Sequence, residues 1–274
     1  MSQLFQIERK HSSEFAPDYQ VPLYSIFLFE GNGTFSVDLT SYHFSGKTIL
    51  FLSPHQHFKW IEPPKSEVRS VLFHGDFYCI EYHKKEVACN GLLFNAIYLI
   101  PHIDVSAETY QEICSIIGKI EPLHHSKNED NEAIIRTYLQ LILALSSKEK
   151  KELLEEVSLK APAHDEIVDF QNQLEIHFLQ TRELAFYASA AGLTVSAFSR
   201  KIKKHFGKTP SKLIQERIIL ESKKLLHLTN KPIKEIASIL KFEDEFYFSR
   251  YFKKAVGVSP KNYRETVGIS IVAK

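Results

Sequence analysis

The strongest constraint in this chain is an internal repeat. Phe198-Ser-Arg-Lys-Ile-Lys-Lys-His-Phe-Gly-Lys-Thr-Pro210 returns fifty positions later as Phe248-Ser-Arg-Tyr-Phe-Lys-Lys-Ala-Val-Gly-Val-Ser-Pro260. Seven of the thirteen aligned positions are identical, and Thr209 with Ser259 is a conservative eighth. Self-similarity at a fixed offset means one supersecondary unit used twice. Ahead of the first copy, Leu184 to Ala190 reads as a short helix of small residues, Gly192 supplies the positive φ that ends it, and Thr194 or Ser196 opens the next helix. Ahead of the second, Pro232 opens Ile233 to Leu240, and Asp244 can cap the helix that follows. Helix, tight turn, helix is the helix-turn-helix shape.

Helical spacing sorts the residues of each copy onto two faces. Phe198 with Ile202, and Phe248 with Phe252, stand four apart and share a buried stripe. Ser199, Arg200, Lys203 and Lys204, with their counterparts Ser249, Arg250, Lys253 and Lys254, fall largely off that stripe. The outer face is thus basic and hydroxyl-bearing, which suits a major groove. Arginine binds guanine O6 and N7 bidentately, small polar side chains let a helix approach base edges, and lysine meets phosphates. One such helix alone is more often a solvated surface; two copies, each ending in Gly-x-Thr/Ser-Pro, favour double-stranded DNA. Between them, Pro210 to Leu228 reads as one long helix carrying Leu213, Arg217, Leu220, Lys224 and Leu225. Such a rod predicts two modules on successive major-groove faces, about 34 Å apart.

A length of 274 residues favours two domains over one. Net charge is +1, but the balance is uneven: Met1 to His164 holds 15 Lys and Arg against 21 Asp and Glu, or −6, and Asp165 to Lys274 holds 19 against 12, or +7. The basic half is the one expected to meet a polyanion. Apolar types at 44% and charged types at 24% exclude disordered and fibrous classes. Three cysteines, Cys79, Cys89 and Cys114, are too few for a disulfide scaffold and point to a reducing, cytoplasmic setting. Neither a signal peptide nor a membrane span is expected, because Leu92 to Ile100, the most apolar window, is broken by Asn95.

The first half reads as β structure. Ser25 to Phe29, Gly33 to Leu39, Thr48 to Leu52, Val68 to Phe73 and Glu81 to His83 are short β-branched and aromatic runs, punctuated by Gly31-Asn-Gly33, Gly46, Ser53-Pro54 and Pro63-Pro64. A sandwich or barrel is expected. Two amphipathic helices of about 14 residues follow, one on Tyr110, Ile113, Ile117 and Ile120 and one from Ile134 to Leu145, separated by Glu121-Pro122 and a polar stretch. They either cover the open face of the sheet or form a dimer interface. A run dense in Lys and Glu, then Ala161-Pro-Ala163, predicts a linker. The expected division is residues 1–146, a linker over 147–164, and an all-α domain over 165–274.

The C-terminal hundred residues resemble the AraC/XylS family of bacterial transcriptional regulators. The likeness rests on Ala188-Ser-Ala-Ala-Gly-Leu-Thr-Val-Ser-Ala-Phe-Ser-Arg200, on Lys234-Glu-Ile-Ala237, and on Phe248-Ser-Arg-Tyr-Phe-Lys-Lys254 with Gly257-Val-Ser-Pro-Lys-Asn-Tyr-Arg264. It implies seven helices in two helix-turn-helix modules, promoter binding, and activation through RNA polymerase. By position in the family's motif, Ser196, Ser199 and Arg200 are base-contacting candidates in the first module, and Glu245, Phe246, Ser249 and Arg250 in the second. Lys201, Lys203, Lys204, Lys253 and Lys254 are candidates for phosphate. Two departures stand out. Lys241 occupies the place of the usual turn glycine, and acidic Glu243-Asp-Glu245 enters the second module, leaving it a weaker discriminator or a backbone anchor.

More loosely, Phe44-Ser-Gly-Lys-Thr-Ile-Leu-Phe-Leu-Ser-Pro-His-Gln-His57 is similar to the cupin-like sensor domains of that family, which implies a β-barrel or sandwich holding a small effector and dimerising through its helices. The whole is then an α+β two-domain, homodimeric regulator. One competing reading is a metal-dependent cupin enzyme fused to a DNA-binding domain, because His55, His57 and Glu62, with His43 or His74 as a third partner, match a metal-ligand spacing. Pro54 sets that motif just past a strand, so surface or core histidines are the preferred reading, with neither metal nor other cofactor and no catalysis expected. Nucleophile elbows, phosphate-cradling loops and Cys-x-x-Cys pairs are missing from the sequence. A third reading is a regulator without a small effector, controlled by abundance or by a protein partner.

Overall fold

A computed structural model of the chain describes residues 4–80, 91–126, 130–160 and 165–268. The chain divides into two compact units, one of Met1–Ala96 with Ile100–Leu154, the other of Ile97–Leu99 with Glu155–Lys274.

The first unit is built on one antiparallel sheet. Strands β1 (Phe5–His11), β2 (Tyr24–Val37), β3 (Thr40–Leu52), β4 (Phe58–Glu62), β5 (Glu67–Phe73) and β6 (His102–Asp104) run in the order β1-β5-β2-β3-β6, with β4 also on β2. The two strands expected at 25–29 and 33–39 are one strand. Its first half, Tyr24 to Leu28, pairs with β5, and its second half, Thr34 to Val37, pairs with β4. Gly31-Asn-Gly33 is therefore the place where β2 changes partner, and no turn forms there. Gly31, at φ +132°, faces Gly46, at φ +86°, across the ladder. A Cβ on Gly33 would stand 2.2 Å from the Glu62 carbonyl oxygen, so only glycine lets β4 approach. The hairpin turn instead falls at Asp38-Leu39, both with positive φ, which matches the right-handed twist of a two-residue connection. The expected strand at 81–83 and Cys89 lie outside the described residues.

Alternation along the strands gives the sheet two apolar faces. Ile26, Leu28, Ile49, Phe51, Val71 and Phe73 pack with Ile113, Ile117 and Ile120 of helix α1 (Ala107–His125) and with Ile135, Leu139, Ile142 and Leu143 of helix α2 (Asn131–Lys160). On the other face, Phe27, Phe29, Phe35, Phe44 and Phe58 meet Phe15, Tyr19, Tyr42 and Trp60 in edge-to-face and tilted contacts. Both helices outrun their expected 14 residues. Pro122 lies inside the last turn of α1, where the backbone N–H of Ser126 still closes onto its carbonyl at 3.2 Å, and Arg9 of β1 clasps Glu121 through Nε and Nη2. The Lys- and Glu-rich stretch predicted as linker is helical through Lys160. Lysine and glutamate are strong helix formers, and Lys148 faces Glu152 one turn on; residues 161–164 lie outside the described residues.

Two buried bases mark this unit. His102, 5% exposed, is pushed down to about 4 by burial. Lys150, 2% exposed, donates to the Ile100 carbonyl at 2.7 Å, and burial pushes its ammonium down to about 8. Cys79 is buried and Cys114 half-buried.

From Asp165 on, the described elements of the second unit are helices: α3 (Asp165–His177), α4 (Leu184–Ala190), α5 (Val195–Phe206), α6 (Pro210–Leu228), α7 (Ile233–Ile239), α8 (Glu245–Val256) and α9 (Pro260–Val267). Its core gathers Phe170, Leu174, Tyr187, Phe198, Ile202, Leu213, Ile218, Ile236, Phe248, Phe252 and Tyr263. Burying each such aromatic or aliphatic side chain contributes roughly 1.5–3 kcal/mol. Among the described residues no helix is long and apolar enough to cross a membrane.

Candidate nucleic-acid interface

The two halves of the repeat fold alike, hydrogen bond for hydrogen bond. After α4, the Gly192 N–H donates to the Ser189 carbonyl at 3.0 Å and the Leu193 N–H to Ala188 at 2.9 Å. After α7, the Lys241 N–H donates to Ser238 at 3.0 Å and the Phe242 N–H to Ala237 at 2.9 Å. Gly192 sits at φ +65° and Lys241 at φ +57°. Lysine thus adopts the left-handed conformation that glycine adopts in the first turn, and the turn keeps its form at a backbone cost of about 1–2 kcal/mol. The second turn is one residue longer, because Glu243 is inserted before the cap.

Caps and stops repeat as well. Thr194 is the N-cap of α5, its hydroxyl accepting from the Ala197 N–H at 3.3 Å; Asp244 caps α8, accepting from Tyr247 at 2.7 Å. Both helices end at a left-handed glycine, Gly207 at φ +68° and Gly257 at φ +88°. Thr209 and Ser259 then cap the next helices, α6 and α9, each of which opens on proline. These positions explain Gly-x-Thr/Ser-Pro: a left-handed stop, a hydroxyl cap, then a residue whose missing N–H costs nothing at the first helical position. Helix α6, 19 residues and so about 28 Å long, packs against both α5 and α8.

With Phe198, Ile202, Phe248 and Phe252 in the core, the opposite faces of α5 and α8 are open. Ser196, Arg200, Lys203 and Lys204 are exposed on α5, and Ser199 is half-buried beside them. On α8, Phe246 (68% exposed), Arg250, Lys253 and Lys254 are exposed, with Glu245 and Ser249 half-buried. Ser196, Ser199, Arg200 and Lys203 thus form one stripe at three- and four-residue spacing, and Phe246, Ser249, Arg250 and Lys253 its counterpart fifty positions on. Lys201 differs: it is half-buried, with Nζ 2.8 Å from Glu166, so its charge is met within the unit. Val195, 43% exposed at the start of α5, shares the open end of that helix and escaped sequence reasoning, because a valine beside a cap reads as core. Tyr251 lies on the inner side of α8, and burial pushes its hydroxyl up to about 12.

The histidines proposed for a metal are dispersed. His55 lies in the turn after β3 at φ +59°, its N–H bonded to the Val21 carbonyl; His57 contacts Gln20. Glu62 accepts from Thr34, which also contacts His43, while His74 stands near Asp76. Among the described residues no three His, Cys, Asp or Glu side chains are placed to hold one ion.

Twin helix-turn-helix modules with basic outer faces, joined by one helical rod and following an antiparallel β domain in sequence, define a DNA-binding transcriptional regulator. A helix-turn-helix domain profile matches residues 187–266, from within α4 to within α9. The transcriptional activator RhaS of Escherichia fergusonii is 21% identical over 257 residues, covering 91% of this chain and 87% of that protein. The activator Btr of Bacillus subtilis is 24% identical over 228 residues, covering 82% of this chain and 41% of Btr. Among solved structures, the C-terminal domain of AraT, a response regulator from Geobacillus stearothermophilus, is 31% identical with a TM-score of 0.37, covering 40% of this chain and 91% of that one. The profile over residues 187–266 and the likeness to RhaS and Btr support the AraC/XylS family of transcriptional regulators.

Proposed function

We propose that this protein is a cytoplasmic, sequence-specific transcriptional activator that reads a bipartite promoter site and recruits RNA polymerase, without catalytic activity of its own. The observation that carries the reading is the pair of matched open stripes on α5 and α8, each holding an arginine and two lysines over an apolar inner face. Arg200 and Arg250, with Ser196, Ser199, Glu245, Phe246 and Ser249, contact base edges, and Val195 meets a thymine methyl. Lys203, Lys204, Lys253 and Lys254 meet phosphates. Activation is the role carried in the names of RhaS and Btr.

In this reading residues 1–146 sense and dimerise, and residues 165–274 bind DNA. Ile134, Tyr138, Leu141 and Leu145 make an apolar stripe on α2, with Ile134 44% and Leu141 42% exposed, and a second copy would cover it. The aromatic face of the sheet is the place for a small apolar effector, with the buried Trp60 Nε1, which has no hydrogen-bond partner, as a donor.

The test is a competition assay on duplexes selected from a random pool, with a reporter behind the selected site. Arg200→Ala and Arg250→Ala are each expected to cost about 1–3 kcal/mol of discrimination at one base position and to lower reporter output. Unchanged base preference in both variants would remove these helices from the groove.

A further inference from the structure

Arg182 stands between α3 and α4, outside both repeats and outside the residues that match the helix-turn-helix profile. Its side chain is nevertheless built into the second module. The guanidinium lies 4.0 Å from the centre of the Phe242 ring and 5.6 Å from that of Tyr251, and one nitrogen donates to the Leu240 carbonyl at 3.2 Å. Leu240, Lys241 and Phe242 are the turn between α7 and α8, and Tyr251 is on α8 itself. One planar cation therefore holds the carbonyl before the left-handed residue, the ring after it, and the helix the turn leads into.

The second turn needs such a hold more than the first. It places lysine where the first has glycine, and it carries the additional Glu243. A cleft of about 440 Å³ opens beside it, lined among others by Arg182, Lys241, Tyr247 and Arg250, so solvent takes the place of packing on that side. A flat guanidinium can stack on a ring and hydrogen-bond in its own plane at the same time, which a lysine ammonium cannot do.

We propose that Arg182 is a positioning residue for α8: by clamping Leu240 and Phe242 it sets the angle at which Phe246, Ser249 and Arg250 meet DNA. This rests on the reading of α8 as a groove helix. The test uses the full chain on its selected bipartite duplex, with hydroxyl-radical footprints of each half, affinity as a function of salt, and thermal unfolding. Arg182→Met keeps the aliphatic stem and so the packing. It is expected to raise the concentration for half-protection at the second module's half by about tenfold and at the first module's half by less than about twofold. The salt slope stays at the wild-type value. Arg182→Lys behaves like Arg182→Met, and adding Lys241→Gly to Arg182→Met restores at least about half of the loss, because a glycine turn holds its own form.

A salt slope smaller by about one unit would make Arg182 a phosphate contact and overturn the proposal. Equal loss at both halves, with a matching fall in melting temperature, would reduce it to a general stability residue and overturn it too. Failure of the groove reading shows differently: Arg250→Ala would then leave the second half's protection untouched in the wild-type background.

Discussion

The lysines of α5 allow a sharp test, because neighbours on one helix are predicted to behave oppositely. Lys204 is exposed and has no acidic partner among the described residues; Lys201, three positions earlier, is held 2.8 Å from Glu166. A lysine that neutralises a phosphate releases condensed counterions, and each such contact adds about 0.9 to the slope of log affinity against log salt. Between about 50 and 200 mM salt, one contact therefore costs about 3.5-fold in affinity, and Lys203, Lys204, Lys253 and Lys254 together about 150-fold. Lys204→Ala should bind all duplexes more weakly and show a slope shallower by about 0.9. Lys201→Ala should keep the wild-type slope, since its ion pair persists in bound and free protein alike. Fluorescence anisotropy of a labelled duplex at five salt concentrations measures both. Equal slopes for the two variants would refute the assignment of exposed lysines to the backbone, as would an unchanged slope for Lys204→Ala.

Three further outcomes follow from the same structure. Gly192→Ala meets nothing within 4 Å and so carries only the left-handed backbone cost, about 1 kcal/mol, whereas Lys241→Gly should stabilise by a similar amount; opposite shifts in melting temperature are expected, and shifts of one sign would contradict the parallel between the turns. Lys150 has its pKa lowered from 10.5 to about 8 by burial, so the unfolded chain holds the proton more tightly; the associated stability is full above pH 10.5 and lost as pH falls through about 8. Denaturation of wild type against Lys150→Met should therefore show wild type gaining about 1 kcal/mol relative to the variant between pH 7 and pH 9, and a flat difference would argue against a buried ammonium. For the proposed dimer, Leu141→Glu, on the exposed stripe of α2, should shift sedimentation toward monomer while leaving the far-ultraviolet circular dichroism unchanged; a monomeric wild type would contradict the dimer, and a dimer that persists in the variant would place the interface elsewhere.

The DNA-facing half was legible because its signals are local. Caps, left-handed stops and four-residue apolar spacing lie within a few positions of one another, and Asp244, Gly207, Gly257, Pro210 and Pro260 stand where those rules put them. Thr194, one of two possible starts, proved to be the cap. What the sequence left hidden depends on distant contacts. Gly31-Asn-Gly33 reads as a turn, yet it is a strand crossing, and only the approach of the Glu62 backbone to Gly33 explains the glycine. The helix through the Lys- and Glu-rich run, where a linker is expected, is the exception, since lysine and glutamate are strong helix formers by local propensity. Lys201 shares its neighbours' chemistry until Glu166, thirty-five positions away, claims its charge. Arg182 carries no motif, because its partners Leu240, Phe242 and Tyr251 lie about sixty to seventy positions on. His55 and His57 have a metal-like spacing, but His55 lies in the turn after β3, whereas Glu62 stands at the far end of β4 and bonds Thr34.

Hydroxyl-radical cleavage of a selected duplex bound by the intact protein asks most directly whether α5 and α8 enter the same double helix. Two protected stretches on one face, with centres about ten base pairs apart, are predicted, the first fading with Arg200→Ala and the second with Arg250→Ala. One continuous stretch, or a pair whose spacing is no whole helical turn, would contradict it.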